Sequence, residues 1–423
     1  MYEQFRVDEW PRMVRAKQVF KAQAIDDVGQ KVREEFSRLS HLPDLQNKRI
    51  AVTVGSRGIR NLDIIVRETI NCLKDRGAKP FILPAMGSHG GATAEGQALI
   101  IHGFGITEEA MGVPILSDTK VELAEYVQGI PIYISTIALE ADGIVVLNRI
   151  KKHTSFRGAY ESGLYKMMVV GLGMHKGTLT FHGLGFPGMA KNLVTMAKAV
   201  MRNTNIICGV GIVENALEET AHIKVIPGPT IGEEEPLLLK MSNSLAPRIP
   251  YEKIDILILK QLGKNISGDG MDPNITGRYT PDLLPDYSQL PRIKRIVTFD
   301  LTEDSHGCAI GMGHIDVTTE RFRNKINFET TYMNAVSATV TNTCKMPIIA
   351  PDEKTALEIA CQTCRPYDDD GLKICVLQDT LHLESMLVSE SLYGKECAGC
   401  TVQYTGDLQK LMFGGDGTLT NKV

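Results

Sequence analysis

Aromatic residues make up only 6% of the 423 residues, with a single tryptophan, Trp10. The 46 Lys and Arg against 50 Asp and Glu leave a net charge of −4. A general nucleic-acid binder carries a basic surplus and interleaved aromatics, and neither is present. No run of about 18 apolar residues occurs, which excludes a hydrophobic span of membrane length. The first twenty residues mix charges into every short window, so no secretory leader is expected there. Cysteine is odd in number, nine in a long chain, which argues against a secreted disulfide framework. What is present is 43% hydrophobic and 23% charged, enough to bury a real core. At about 100–200 residues per domain the prior is two or three domains. The expected setting is the cytoplasm, with no membrane and no nucleic-acid partner.

The clearest βαβ pattern begins at Arg49. RIAVTV (49–54) reads as a buried strand, and Leu62, Ile65, Val66, Ile70 and Leu73 then recur at helical spacing. Asn61 is placed as the N-cap and Gly77 as the stop. A strand at 79–83 runs into a Gly-rich loop, MGSHGGAT, and a helix from about Thr93; further strands are expected at 114–117, 130–135 and 143–148. Ligands of such sheets bind at the carboxyl ends of strands, so loops 55–60, 84–92 and 149–158 should share that edge. A second pattern has strands near 254–259, 292–299 and 373–377, with helices around 353–364 and 381–392. Residues 226–251 hold five prolines and read as a hinge. The expected fold class is α/β, two α/β domains with mainly parallel sheets and an active-site cleft between them. The first domain is expected over 1–245 and the second over 250–393, with a tail (395–423) that could pack back on the first.

Residues 143–213 break the charge balance: nine Lys and Arg and a single acid, Glu161. Glycine-rich backbone beside cations is how proteins approach phosphates and carboxylates, so an anionic ligand fits; the alternative is that acids from elsewhere pair these cations. GLGMHKG (171–177) has the wrong spacing for a dinucleotide fingerprint and lacks the acid about twenty residues on. Cys361-x-x-Cys364 and Cys397-x-x-Cys400 could hold zinc or act in redox chemistry, or could simply be core and surface thiols.

His89 in GSHGG, His153, Lys166 and His182, in that order, resemble the nickel-pincer lactate racemase family of 2-hydroxyacid racemases and epimerases, as a divergent branch. Gly87-Ser88-His89 is similar to the family's GTH loop, and His182 follows Lys166 by sixteen residues as its counterparts do. Arg57 keeps the arginine of the first loop, and Gln261-Leu-Gly-Lys264 resembles a Gln-x-x-Lys pair of the second domain. The resemblance implies catalytic His89 and His153 as alternating acid and base. It implies a nickel-pincer nucleotide, a pyridinium thioamide/thiocarboxylate mononucleotide, bound covalently through Lys166. Arg57 and Ser88 would contact this cofactor, and His182 would ligate the nickel. The substrate, a small 2-hydroxyacid, would meet Arg57, Gln261 and Lys264; His306 is a further candidate contact from the small-residue loop 303–316. Cofactor-synthesis proteins are implied as partners. The first loop has Val54 where the family has an acid, and the pocket's aromatic residue is missing, which leaves the substrate open.

The residues also support plainer readings. In the apolar run GLYKMMVVGLG, burial would favour a neutral, nucleophilic Lys166, or the side chain could snorkel from a helix end. His182 in TFHGLGF suits a metal-binding imidazole, or a hydrogen-bonded core residue. Loop 263–278 is rich in Asn, Asp and Gly and could contact a polyol or carboxylate, cover a site, or be closed by Asx-turns. A pyridine-nucleotide oxidoreductase of 2-hydroxyacids and a non-catalytic anionic-metabolite binding protein stand as alternatives.

Overall fold

Arg49–Val54 buries every residue after the first, the pattern of a strand covered on both faces. In the computed structural model, which describes residues 3–20, 22–39, 42–279 and 291–422, this strand is the centre of a parallel arrangement. Lys79–Pro84 pairs on one side and Gly143–Arg149 on the other; Ile206–Glu214 continues the parallel order and Thr220–Pro227 closes the five-stranded sheet antiparallel. The crossover helix Leu62–Lys74 buries Leu62, Ile65, Val66, Ile70 and Leu73 against the sheet. Asn61 precedes it in the left-handed conformation, and Gly77, at φ +77°, turns the chain where a side chain would run into Gln46. Because the strands are parallel, the loops after Val54, Pro84 and Arg149 leave from one edge.

The chain divides into two α/β units, Ala22–Ala246 and Met1–Lys21 with Pro247–Val423. The second unit is built on an eight-stranded mixed sheet. Lys253–Leu262 pairs in parallel with Arg292–Leu301 and with Ile374–Leu377, and Val317–Thr319 and Ile348–Ala350 extend the parallel half. Beyond Ile374–Leu377 the sheet turns antiparallel through Ser385–Ser389, Arg12–Gln18 and Val402–Lys410. Residues Arg12–Gln18, within the span expected for the first domain, and the tail strand Val402–Lys410, which could have packed back on that domain, both belong to this sheet.

Three further expectations differ. Residues 381–392 form the strand Ser385–Ser389 and a short 3₁₀ turn instead of a helix, because Met386–Ser389 is an unbroken buried run between two strands. Strand Ile130–Ser135 pairs antiparallel with Val121–Val127 in a separate hairpin, and 114–117 contributes only a bridge from Ile115 to Ile82. The proline-rich 226–251 does contain the passage between the units, after Ala246, but most of it is the 15-residue helix Ile231–Leu245 with Pro236 inside it. Proline brings no N–H for the carbonyl four residues earlier. That carbonyl, on Gly232, accepts instead from the Tyr160 hydroxyl.

Candidate functional site

The GSH loop leaves the carboxyl end of Lys79–Pro84 and is held from beneath. The Gln97 side chain is fully buried, and its Nε2 donates to the Gly87 carbonyl at 3.0 Å. Gly87 has φ +65° and packs against Val170 and Thr178, while a Cβ on Gly90 (φ +65°) would lie 2.5 Å from the carbonyl carbon of Gly96. Both positions need glycine for conformation and for room. Ser88 and His89 sit at the exposed tip of this tied loop, and Arg57 is exposed in the loop after Arg49–Val54.

His153 lies on the loop after Gly143–Arg149, which closes on itself through a bridge between Lys151 and Ser162. Glu161 organises it: its carboxylate accepts from the His153 N–H at 2.7 Å and the Gly158 N–H at 3.3 Å, and pairs with Arg157 at 3.5 Å. The His153 ring is buried against Phe156, centroids 4.4 Å apart. Its Nδ1 accepts the Ser155 N–H at 2.9 Å, which places the proton of the neutral ring on Nε2. Burial first, then the charges of Lys166 and of neighbouring His182, Arg157 and Lys151, hold its pKa well below the usual histidine value.

Lys166 ends a short helix, Leu164–Lys166, and is followed by a π-helical turn, Met167–Gly171. Such turns are over-represented at functional sites. Gly171 lets this turn approach the chain before Ser88: a Cβ there would stand 2.8 Å from the Ala85 carbonyl oxygen. Gly55 faces Met167 in the same way, at 3.1 Å, so the Arg57 loop, the GSH loop and the Lys166 turn adjoin at the sheet's carboxyl edge. His182, on helix Met174–Gly183, has a buried Nδ1 with no hydrogen-bond partner. Burial and the Lys166 charge push its pKa down to about 4, so it is a neutral donor at pH 7. The structure thus brings His153, Lys166 and His182 within electrostatic reach of one another. Among the described residues no group of three or more His, Cys, Asp or Glu could hold a metal ion by itself. Part of the basic segment is paired elsewhere, Arg149 with Glu214 and Arg202 with Glu125.

Sequence reasoning missed Glu235. It reaches from helix Ile231–Leu245 to the start of the lysine helix, where its carboxyl accepts the Tyr165 N–H at 3.0 Å. Gly163 gives it room, since a Cβ there would fall on Oε1. Tyr165 in turn stacks face to face on Tyr160, centroids 4.3 Å apart. The signal in the sequence was GEEEP, masked by its likeness to a hinge. Glu161 did carry a signal, as the one acid of the basic stretch.

In the other unit, Gln261, Lys264 and His306 share the carboxyl edge of the eight-stranded sheet, because Lys253–Leu262 and Arg292–Leu301 are paired in parallel. Gln261 accepts from Gln378 Nε2 at 3.1 Å. The Lys264 N–H donates to Ser305 Oγ at 2.9 Å, and its ammonium donates to Asn334. His306 is exposed, in the left-handed conformation at φ +46°. Within 263–278, Asp272 caps Pro273–Thr276 and binds Asn274, an Asx-turn.

Comparison with known proteins follows this geometry. Residues 63–226 match the model of a domain of unknown function, DUF362. No curated protein matches the chain. The structure of the lactate racemase apoprotein from Thermoanaerobacterium thermosaccharolyticum is similar, with a TM-score of 0.54 at 16% identity over 86% of this chain and 94% of that one. A protein from Thermotoga maritima gives a TM-score of 0.48 at 13% identity, over 85% and 99%. At that identity the first likeness speaks for the fold: the chain has a lactate racemase-like α/β architecture. Among the described residues no helix is long and apolar enough to cross a membrane.

Proposed function

We propose that this protein is a racemase or epimerase that inverts the hydroxyl-bearing carbon of a 2-hydroxyacid. The observation that carries the reading is His182 Nδ1, a buried imidazole nitrogen without a partner, close to Lys166 and to a second neutral imidazole. An orphaned buried nitrogen costs free energy unless a ligand uses it. That donor suits a metal that brings most of its other donors within a prosthetic group, since among the described residues no protein cluster surrounds it. The residues therefore fit a nickel-pincer nucleotide, which Lys166 would hold covalently and His182 would hold through the metal. When bound, this group would supply reversible hydride acceptance from the substrate carbon.

The chain's own residues supply proton transfer and positioning. His89 is on an exposed tip and His153 on a buried loop, so the two imidazoles can address a hydroxyl group differently. His153 with its proton on Nε2 begins as a hydrogen-bond donor to the hydroxyl oxygen. To act as base, the neutral ring carries its proton on Nδ1 instead, on releasing the Ser155 N–H, which frees Nε2 to accept the substrate's hydroxyl proton and later return it to the same oxygen. Arg57 is a candidate partner for a carboxylate, with Ser88 beside His89 as a contact for the bound group. Gln261, Lys264 and His306, expected as substrate contacts, lie at the carboxyl edge of the other unit's own sheet. The likeness to the lactate racemase apoprotein supports the reaction class, and the absence of a dinucleotide fingerprint disfavours a pyridine-nucleotide oxidoreductase.

The test is intact mass and nickel content of the full chain expressed alongside cofactor-synthesis proteins. An adduct of a few hundred daltons on Lys166, with about one nickel per chain that is lost in His182→Ala while the adduct remains, is the expected result. Loss of optical rotation across a panel of 2-hydroxyacids then identifies the substrate. Unmodified protein without nickel, under conditions that load a lactate racemase, would overturn the proposal in favour of an anionic-metabolite binding protein.

A further inference from the structure

The two CxxC pairs, alike in sequence, differ in setting. Cys361 and Cys364 lie at the end of helix Glu353–Thr363 and are almost fully buried. Burial pushes the Cys364 thiol up to about 11 and that of Cys361 higher still. Thiols so placed are inert. Cys397 and Cys400 are half-exposed at the two ends of a tight turn. The Cys400 N–H donates to the Cys397 carbonyl at 3.0 Å and Gly399 takes φ +82°, the left-handed third position of a type II turn. Such a turn brings its first and fourth Cα atoms within about 7 Å, which reaches the range that a disulfide spans, about 4.4–6.8 Å.

The turn is also held by a cation. Arg248 donates from Nε to Cys400 Sγ at 3.1 Å and from Nη2 to the Ala398 carbonyl at 2.7 Å, and the Cys397 N–H donates to the Pro250 carbonyl at 2.7 Å. The guanidinium contact sets Cys400 apart from Cys397, whose thiol pKa is raised by burial. With no third soft ligand nearby among the described residues, the pair is not a metal site.

We propose that Cys397 and Cys400 form a thiol–disulfide exchange site whose substrate is a small soluble disulfide. The Cys400 thiolate attacks one sulfur of the small disulfide and expels the other as a thiolate, which takes up a proton. Cys397 gives up its proton, attacks the Cys400 sulfur of the mixed disulfide and expels the second thiolate. Two protein thiols thereby lose two protons and two electrons, and one small disulfide becomes two small thiols. Closure draws the Cys400 sulfur into the S–S bond and away from its role as acceptor for Arg248, at the point where the chain passes from one unit to the other.

The test is reaction of the full-length protein with oxidised glutathione, read by intact mass and peptide mapping. Wild type is expected to become lighter by two hydrogens, with the bond mapped to Cys397–Cys400, and Cys344→Ser to behave alike. Cys397→Ser should stop at a glutathione adduct on Cys400. Cys400→Ser and Arg248→Leu should each react at least about tenfold more slowly. No internal disulfide in wild type, adducts placed first on Cys344, or equal rates for Cys397→Ser and Cys400→Ser would overturn the proposal. None of these readouts depends on nickel or on a 2-hydroxyacid.

Discussion

The Tyr160 hydroxyl donates to the Gly232 carbonyl, the acceptor that Pro236 leaves without a helical donor. The same tyrosine stacks on Tyr165, one residue before Lys166. A proline in a helix of one segment is thus compensated by the loop that leads into the candidate lysine. Tyr160→Phe keeps the stack and removes the donor, and should cost about 1 kcal/mol in chemical denaturation. Pro236→Ala restores an N–H for the Gly232 carbonyl, so Tyr160→Phe should cost measurably less in that background. Equal costs in both backgrounds would show that the hydroxyl and the proline are not coupled.

Glu235 should make the unit Ala22–Ala246 less stable in base than in mild acid. Burial pushes its pKa up to about 8 from 4.5, against the smaller help of the Tyr165 and Leu164 N–H groups. Between those values the folded chain binds one more proton than the unfolded chain, so stability falls as pH rises. Glu235→Gln keeps an acceptor for Tyr165 and cannot ionise. The variant should resemble wild type at pH 5 and exceed it by about 3–5 kcal/mol above pH 8, in urea titrations followed by far-UV circular dichroism. A wild-type-minus-variant difference that does not change with pH would refute this.

The parallel core was legible because buried strands there are short apolar runs and the intervening helix has a clean period, as in Arg49–Val54 and Leu62–Lys74. Parallel pairing then gathered the loops of Arg57, His89 and His153 on one edge, as sequence order alone predicts. What was not legible depended on partners far along the chain. Arg12–Gln18 is a strand because Ser385–Ser389 and Val402–Lys410 pair with it almost four hundred residues away in sequence. Leu381, Leu383 and Leu387 allow a helical reading, and only the neighbouring strands exclude it. Pro236 read as a breaker, since no local signal tells that Tyr160 supplies the missing donor. Glu235 escaped for the same reason: its acceptor role is fixed by an approach to Gly163 and Tyr165 about seventy residues earlier.

Gly163 matters for space and not for conformation, as its backbone is extended. Its missing Cβ leaves room for the Glu235 carboxyl, so Gly163→Ala forces either the helix start or the acid to shift. We expect a loss of about 1–3 kcal/mol from overpacking. The reactivity of Lys166 towards an amine reagent, mapped by peptide mass, should change with it. In a Glu235→Ala background the added methyl has room, and the cost should fall below about 1 kcal/mol. A Gly163→Ala variant as stable as wild type would mean that the carboxyl does not occupy this position.

His314 supplies a pH-dependent instability in the other unit. It is buried, with Nε2 lacking a hydrogen-bond partner, and burial together with the Arg278 charge pushes its pKa down to about 4. The folded ring stays neutral to about that pH, whereas in the unfolded chain it protonates near 6.5. Between the two the unfolded chain binds more protons, so this contribution to stability is full above pH 6.5 and is lost as pH falls towards 4. The loss amounts to roughly 3 kcal/mol. Trp10 packs on Phe413 in the same unit, so its fluorescence reports this unfolding without interference from Ala22–Ala246, which holds no tryptophan. His314→Phe removes the titrating ring, and the difference between wild type and variant should shift by that amount between pH 7 and pH 4. A constant difference across that range would mean that the folded chain lets this histidine charge as readily as water does.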